Sequence, residues 1–134
     1  MSYAVAQRIH ADLYTHFKWT DDKDTFGVPE YWSRPTERGG FYYGDCDDFA
    51  MEMNQRLSNV LPIAARRFGV CRVNKEARAY DHCVLLLLIE GKLYVSECNS
   101  PAIMRPSQLD YDLWYWSPPG HSLTDPWEKV EGLR

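Results

Sequence analysis

Cys46 lies in the run Tyr43-Gly44-Asp45-Cys46-Asp47-Asp48-Phe49-Ala50, a turn that opens into a helix. A thiol at a helix start is placed for nucleophilic chemistry. The unpaired N–H groups of the first turn and the positive end of the helix dipole both favour a negative sulfur. Gly44 permits a sharp turn that projects the side chain into a cleft. Asp45, Asp47 and Asp48 work against this, because neighbouring carboxylates raise a thiol's pKa. Activation therefore depends on an imidazole. His82 is the candidate base, at the head of an apolar run well downstream. A group is also needed to hold the ring. A tight turn at Glu90-Gly91 brings Glu97 close to the cross-strand position of His82. Asn99 lies on the same face and competes for that role. Asp81 is discounted, because adjacent strand residues point to opposite faces.

Several elements must position these groups. Ser2 caps a first helix that runs to about Trp19, with Val5, Ile9, Leu13 and Phe17 as its apolar stripe. The stretch 25–43 carries three glycines and two prolines and reads as loop, with a short helical turn at Thr36 and Glu37 after Pro35. A second helix starts near Cys46 and ends before Pro62, burying Phe49, Met53 and Leu57. Strands are expected over 63–73, 81–89 and 92–98, the last two joined by the Glu90-Gly91 hairpin. The almost wholly apolar middle strand suits a central position covered on both faces. Residues 101–110 read as loop, 113–116 as a short strand, and the tail from Pro118 as a surface wrap. Helices first and an antiparallel sheet after make an α+β fold, with N-terminal helices packed on the sheet.

At 134 residues the chain is one domain, spanning 1–134, long enough to bury a core without metal or disulfide staples. A net charge of −4 and the lack of any Lys/Arg run argue against nucleic acid as a partner. The first residues lack a basic segment followed by an apolar stretch, and no apolar run is long enough for a bilayer. A cytoplasmic location is expected. The cysteines at 46, 71, 83 and 98 form no C-x-x-C pair and read as free thiols, with Cys71 and Cys83 as small buried hydrophobes. His10, His16 and His121 read as surface residues. Trp114, Tyr115 and Trp116 read as core or rim. Trp32, Tyr42 and Tyr43 lie near the cysteine in sequence and are candidates to line a cleft. A tyrosine hydroxyl there could serve an oxyanion alongside the backbone N–H of Cys46.

Trp32-Ser33-Arg34-Pro35-Thr36-Glu37, then Gly44-Asp45-Cys46-Asp47-Asp48-Phe49-Ala50, then a lone His in an apolar strand and an acid on the next strand resemble the bacterial transglutaminase-like cysteine peptidases of the LapG-like group. The resemblance covers roughly residues 31–116. It implies a papain/transglutaminase-like core with Cys46 as nucleophile, His82 as general base and Glu97 as orienter. It also implies calcium at the acids flanking the cysteine, here Asp45 and Asp47, where a cation would relieve the charge crowding. The family's acid is usually Asp, whereas this chain has Glu97 in Ser96-Glu97-Cys98-Asn99. No other cofactor is implied.

The expectation from these readings is a cysteine-dependent acyl-transfer enzyme. Its substrate is a protein or peptide, hydrolysed at a peptide or side-chain amide through a thioester; transglutamination and deamidation use the same acyl-enzyme. The alternative is a protein-binding module on the same fold with an unused triad, phage-encoded or part of a virion.

Overall fold

A computed structural model describes residues 3–20, 35–78, 80–117 and 127–130. Helix α1 (Tyr3–Thr15) is followed by strand β1 (Phe17–Trp19), which replaces the last helical turn expected there. β1 pairs in parallel with β3 (Phe41–Gly44), and β3 pairs antiparallel with β2 (Thr36–Arg38). Thr36 and Glu37 therefore belong to a strand and not to a helical turn. The cause is local. Gly39 and Gly40 both take positive φ, and the Glu37 carboxylate accepts the Gly40 N–H at 2.9 Å, so the chain reverses as a hairpin.

Helix α2 (Cys46–Leu57) begins where expected and ends at Leu57, with Phe49, Met53 and Leu57 fully buried. A single 3₁₀ turn (Ile63–Ala65) then leads into β4 (Arg66–Arg72). Next come β5 (His82–Ile89), β6 (Lys92–Ser96), β7 (Asp112–Trp116) and β8 (Glu128–Lys129). They form one antiparallel sheet in the order β6-β5-β4-β7-β8. Glu90 and Gly91 both take positive φ, as a two-residue hairpin of this handedness requires. The tail is not simply a surface wrap: its described part adds β8 to the sheet edge and buries Val130.

The sheet divides the interior. On one side α1 and α2 cover Phe68, Val70, Cys83, Leu85, Leu87 and Ile89. On the other side Cys71, Val84, Leu86, Val95, Trp114 and Val130 form a second cluster. β5 is thus buried on both faces, as its near-continuous apolar run requires. Gly69 on β4 is fitted closely; a Cβ there would lie 2.8 Å from a Leu86 methyl.

The fold is mixed α+β, with helices on one face of an antiparallel sheet. Cys71 and Cys83 are buried thiols, as expected, and Trp114 belongs to the second cluster. His10 departs from its expected surface position and is fully buried. The buried line of α1 is Ala6, His10 and Leu13, one position round from the stripe through Val5 and Ile9. Ser2, Trp32 and His121 lie outside the described residues. Among the described residues no helix is long and apolar enough to cross a membrane.

Candidate active site

Cys46 is the first residue of α2, and Asp45 caps the helix. Asp45 Oδ1 accepts the Asp48 N–H at 3.5 Å, and Asp48 Oδ2 accepts the Asp45 N–H at 3.0 Å. Such a reciprocal box is worth about 1 kcal/mol to a helix end. It also explains Gly44. A Cβ there would lie 2.6 Å from both the Cβ and Oδ2 of Asp48, so glycine is needed for space. The Gly44 carbonyl accepts the Thr20 N–H at 2.6 Å, which ties the turn to the end of β1.

The half-buried sulfur of Cys46 accepts the Cys83 N–H at 3.4 Å, and its S–H points at Asp47 Oδ1, 3.8 Å away. Burial pushes this thiol up to about 12; the Cys83 N–H opposes that rise, while the charges of Asp47 and Asp45 add to it. The crowding by acids read from the sequence is therefore real at Asp45 and Asp47. Asp48 spends its carboxylate on the cap.

His82 opens β5, and its partner on β4 is Cys71. Its Nε2 lies 2.7 Å from Glu97 Oε1, with both side chains buried. An ionised carboxylate only accepts, so Nε2 carries a hydrogen, and Nδ1 is the nitrogen that exchanges a proton between the neutral and the charged ring. Glu97 also accepts from the Ser100 hydroxyl at 2.6 Å and from the Tyr111 hydroxyl at 2.9 and 3.0 Å. Burial alone would raise its pKa. The hydrogen bonds from His82, Ser100 and Tyr111, with the charge of His82, outweigh burial and hold it below the usual carboxylate value. The Tyr111 ring stands edge-on to the His82 ring, centroids 5.7 Å apart, and its own pKa is raised by burial and by Glu97.

The register explains how Glu97 reaches. β5 and β6 pair Ile89 with Lys92 and Leu85 with Ser96, so continuing the ladder would set Asn99, not Glu97, opposite His82. Pairing stops at Ser96. Glu97 sits two places nearer the turn on the same face and spans the diagonal with its longer side chain. Asn99 Oδ1 instead lies 3.7 Å from the Cys98 sulfur. Asp81 takes no part in holding the ring; its two oxygens accept the N–H groups of Val73 and Asn74.

Cys46 and His82 line one cavity of about 90 Å³, together with Asp47, Tyr80 and Cys83. They approach it from different sides. Strand alternation turns Cys83, Leu85 and Leu87 toward α2, whereas His82 shares its parity with Val84 and Leu86 on the far face. His82 is the first residue of β5, and at that strand end its ring and the thiol border the same cavity. Among the described residues no hydrogen bond joins the sulfur to the imidazole.

Tyr42 and Tyr43 are engaged elsewhere, each beneath a guanidinium, that of Arg56 and Arg38 respectively. Calcium fits the helix start poorly. The ion needs six to eight oxygens. Asp45 and Asp48 already serve the helix amides, and no group of three or more metal-ligating side chains converges among the described residues. Three residues of the site carried no signal in the sequence: Ser100, Tyr111 and His10. His10 Nδ1 lies 2.8 Å from Ser96 Oγ and Nε2 lies 2.6 Å from the Ser100 carbonyl.

No protein-family model matches this chain, and no curated protein matches it either.

Proposed function

We propose that the protein is a cysteine-dependent acyl-transfer enzyme acting on a protein or peptide amide, on a papain/transglutaminase-like core. The observation that carries this reading is the shared cavity: a helix-start thiol and an imidazole anchored through Nε2 to a buried carboxylate open into the same space. Anchoring at Nε2 leaves Nδ1 as the basic atom. Nδ1 takes the proton from Cys46 Sγ as the sulfur attacks the carbonyl carbon, and the carbonyl oxygen becomes an oxyanion. The N–H groups at the start of α2 stabilise that charge. As the tetrahedral species collapses, the C–N bond breaks and the proton on Nδ1 passes to the leaving amine. Water, activated by the same nitrogen, then hydrolyses the thioester. An amine in place of water would give transglutamination. Nothing in this sequence of steps passes through a metal.

A second reading has its own support. The thiol is raised to about 12 and makes no hydrogen bond to the imidazole, which fits a protein-binding module that keeps the fold without the chemistry. Resting enzymes often hold such groups slightly apart, so reactivity decides. Alkylation by iodoacetamide at neutral pH, read peptide by peptide, compares Cys46 with Cys98, the other half-buried thiol. The acyl-transfer reading expects Cys46 to label faster, and His82→Ala to slow it by about tenfold or more. Equal labelling of the two thiols, indifferent to His82→Ala, would establish the binding module instead.

A further inference from the structure

Glu97 is fully buried and accepts three side-chain donors, of which only His82 belongs to the proposed chemistry. The other two come from separate parts of the chain. Ser100 lies three residues on, in the segment that leaves β6, and Tyr111 lies just before β7. The Ser100 segment is held in turn from the opposite side of the sheet. The Ser100 carbonyl can only accept, so His10 Nε2 carries the hydrogen and donates to it at 2.6 Å. His10 Nδ1 is then the acceptor, and the Ser96 hydroxyl donates to it at 2.8 Å. Ser96 is itself fully buried, so both nitrogens of His10 are committed within the protein. The result is a continuous chain of buried polar contacts from α1, through Ser100 and Glu97, to the ring that opens on the cavity.

We propose that Ser100 and Tyr111 are positioning residues that set the orientation and basicity of His82 through Glu97, and that His10 locks the segment carrying Ser100. This rests on the acyl-transfer reading for its functional meaning, but the contacts can be tested without it. Each hydroxyl points its positive end at the carboxylate and so dilutes the negative potential felt by the imidazole. Removing one leaves Glu97 a stronger partner for a protonated ring and so favours the ring's protonated form. The groups that face this ring are Cys46 and Asp47 from α2, Cys71 from β4, Tyr80 and Asp81 from the preceding segment, Glu97 after β6 and Tyr111 before β7. A substitution at Ser100 or Tyr111 leaves the other charges where they are.

The test is an NMR titration of the His82 ring in the full chain, alongside the pH profile of Cys46 alkylation. Tyr111→Phe and Ser100→Ala should each move the His82 midpoint upward and shift the alkylation profile with it. Ser100→Thr, which keeps the hydroxyl, should restore the wild-type midpoint. His10→Gln, whose amide can still donate to the Ser100 carbonyl, should stay near wild type, whereas His10→Leu should reproduce the Ser100→Ala shift. If His10→Leu fails to fold, the Ser100→Ala and Ser100→Thr pair decides. Midpoints unmoved by Tyr111→Phe and Ser100→Ala would overturn the proposal, since the hydroxyls would then only fill space. A shifted midpoint with Cys46 labelling no faster than Cys98 would sustain the network while ending the acyl-transfer reading.

Discussion

The two faces of β5 at its first residues carry unlike halves of one site. On the far face, the His82–Glu97 pair is buried, and the carboxylate accepts from His82, Ser100 and Tyr111. On the helix face, Cys46 is half-buried, set against two carboxylates, and its proton is held by burial and charge. The first half is built in advance and the second is held back. Under the proposed acyl-transfer reading, a base preorganised in this way costs nothing to orient when substrate arrives. A thiol that stays protonated at rest resists adventitious oxidation and waits for the proton acceptor.

The sharpest way to break this contrast is at Glu97. Glu97→Gln replaces an acceptor oxygen with an amide that confronts the donors of His82, Ser100 or Tyr111, and it removes the charge that holds the ring. Cys46 alkylation at neutral pH should fall by about ten- to a hundredfold. Stability in urea should drop by about 1–3 kcal/mol, because a buried donor is left unpaired. Asn99→Ala, which takes a side-chain partner from Tyr111 but none from the ring, should change both quantities far less. A larger effect at Asn99 than at Glu97 would mean that the register partner, and not the diagonal one, holds the ring when the site works.

A smaller effect is expected on the cysteine side. Asp45→Asn combined with Asp47→Asn removes the two charges that help raise the thiol, while asparagine keeps the helix cap. The thiol pKa should fall, and alkylation near pH 8 should rise by roughly three- to tenfold. No change would mean that burial alone holds the proton. Calcium added to the wild type that accelerated labelling as much as the double substitution would mark the two acids as a cation site after all.

How much of this was legible beforehand depended on the sequence distance of the interaction. The helix start at Cys46 and the Glu90-Gly91 turn are local features, signalled by capping residues and a turn glycine, and both stand where the sequence put them. The turn-centred register that points to Glu97 is two places off the observed ladder. Glu97 still meets His82 because a two-place slip keeps the face, and the longer side chain covers the diagonal. The face of His82 relative to α2 was not legible, since alternation says which residues share a side but not which side a helix will cover. The burial of His10 carries no sequence signal, because a polar residue in an amphipathic helix counts as exposed and its partners Ser96 and Ser100 lie 86 and 90 residues further along. Tyr111 escaped for the same reason: its contact with Glu97 closes across the sheet, not along a strand or helix.

The smallest predicted effect separates the two buried groups that frame the network. Burial lowers the His10 pKa below its usual value near 6.5, although the Ser100 carbonyl and Glu97 oppose this. The Glu97 pKa is also depressed, against the pull of burial. In both cases the unfolded chain binds the proton more readily than the folded one. The stability each contributes is present above the unfolded pKa and lost as pH falls toward the folded value. The two losses should begin in different windows, below about 6.5 for the histidine and below about 4.3 for the carboxylate. Thermal unfolding followed by circular dichroism should therefore show Tm level between about pH 7 and pH 8, a first decline of a few degrees through the histidine window, and a steeper one below it. Above about pH 8.5 the thiols, whose pKa values are raised by burial, bring a separate decline. His10→Gln should remove the first decline and leave the second; Glu97→Gln should leave the first and lessen the second, to which Asp112, held low by Arg72, also contributes. A first decline that survives His10→Gln would assign it to another group and leave His10 as packing, with no electrostatic share in the network that steadies the imidazole.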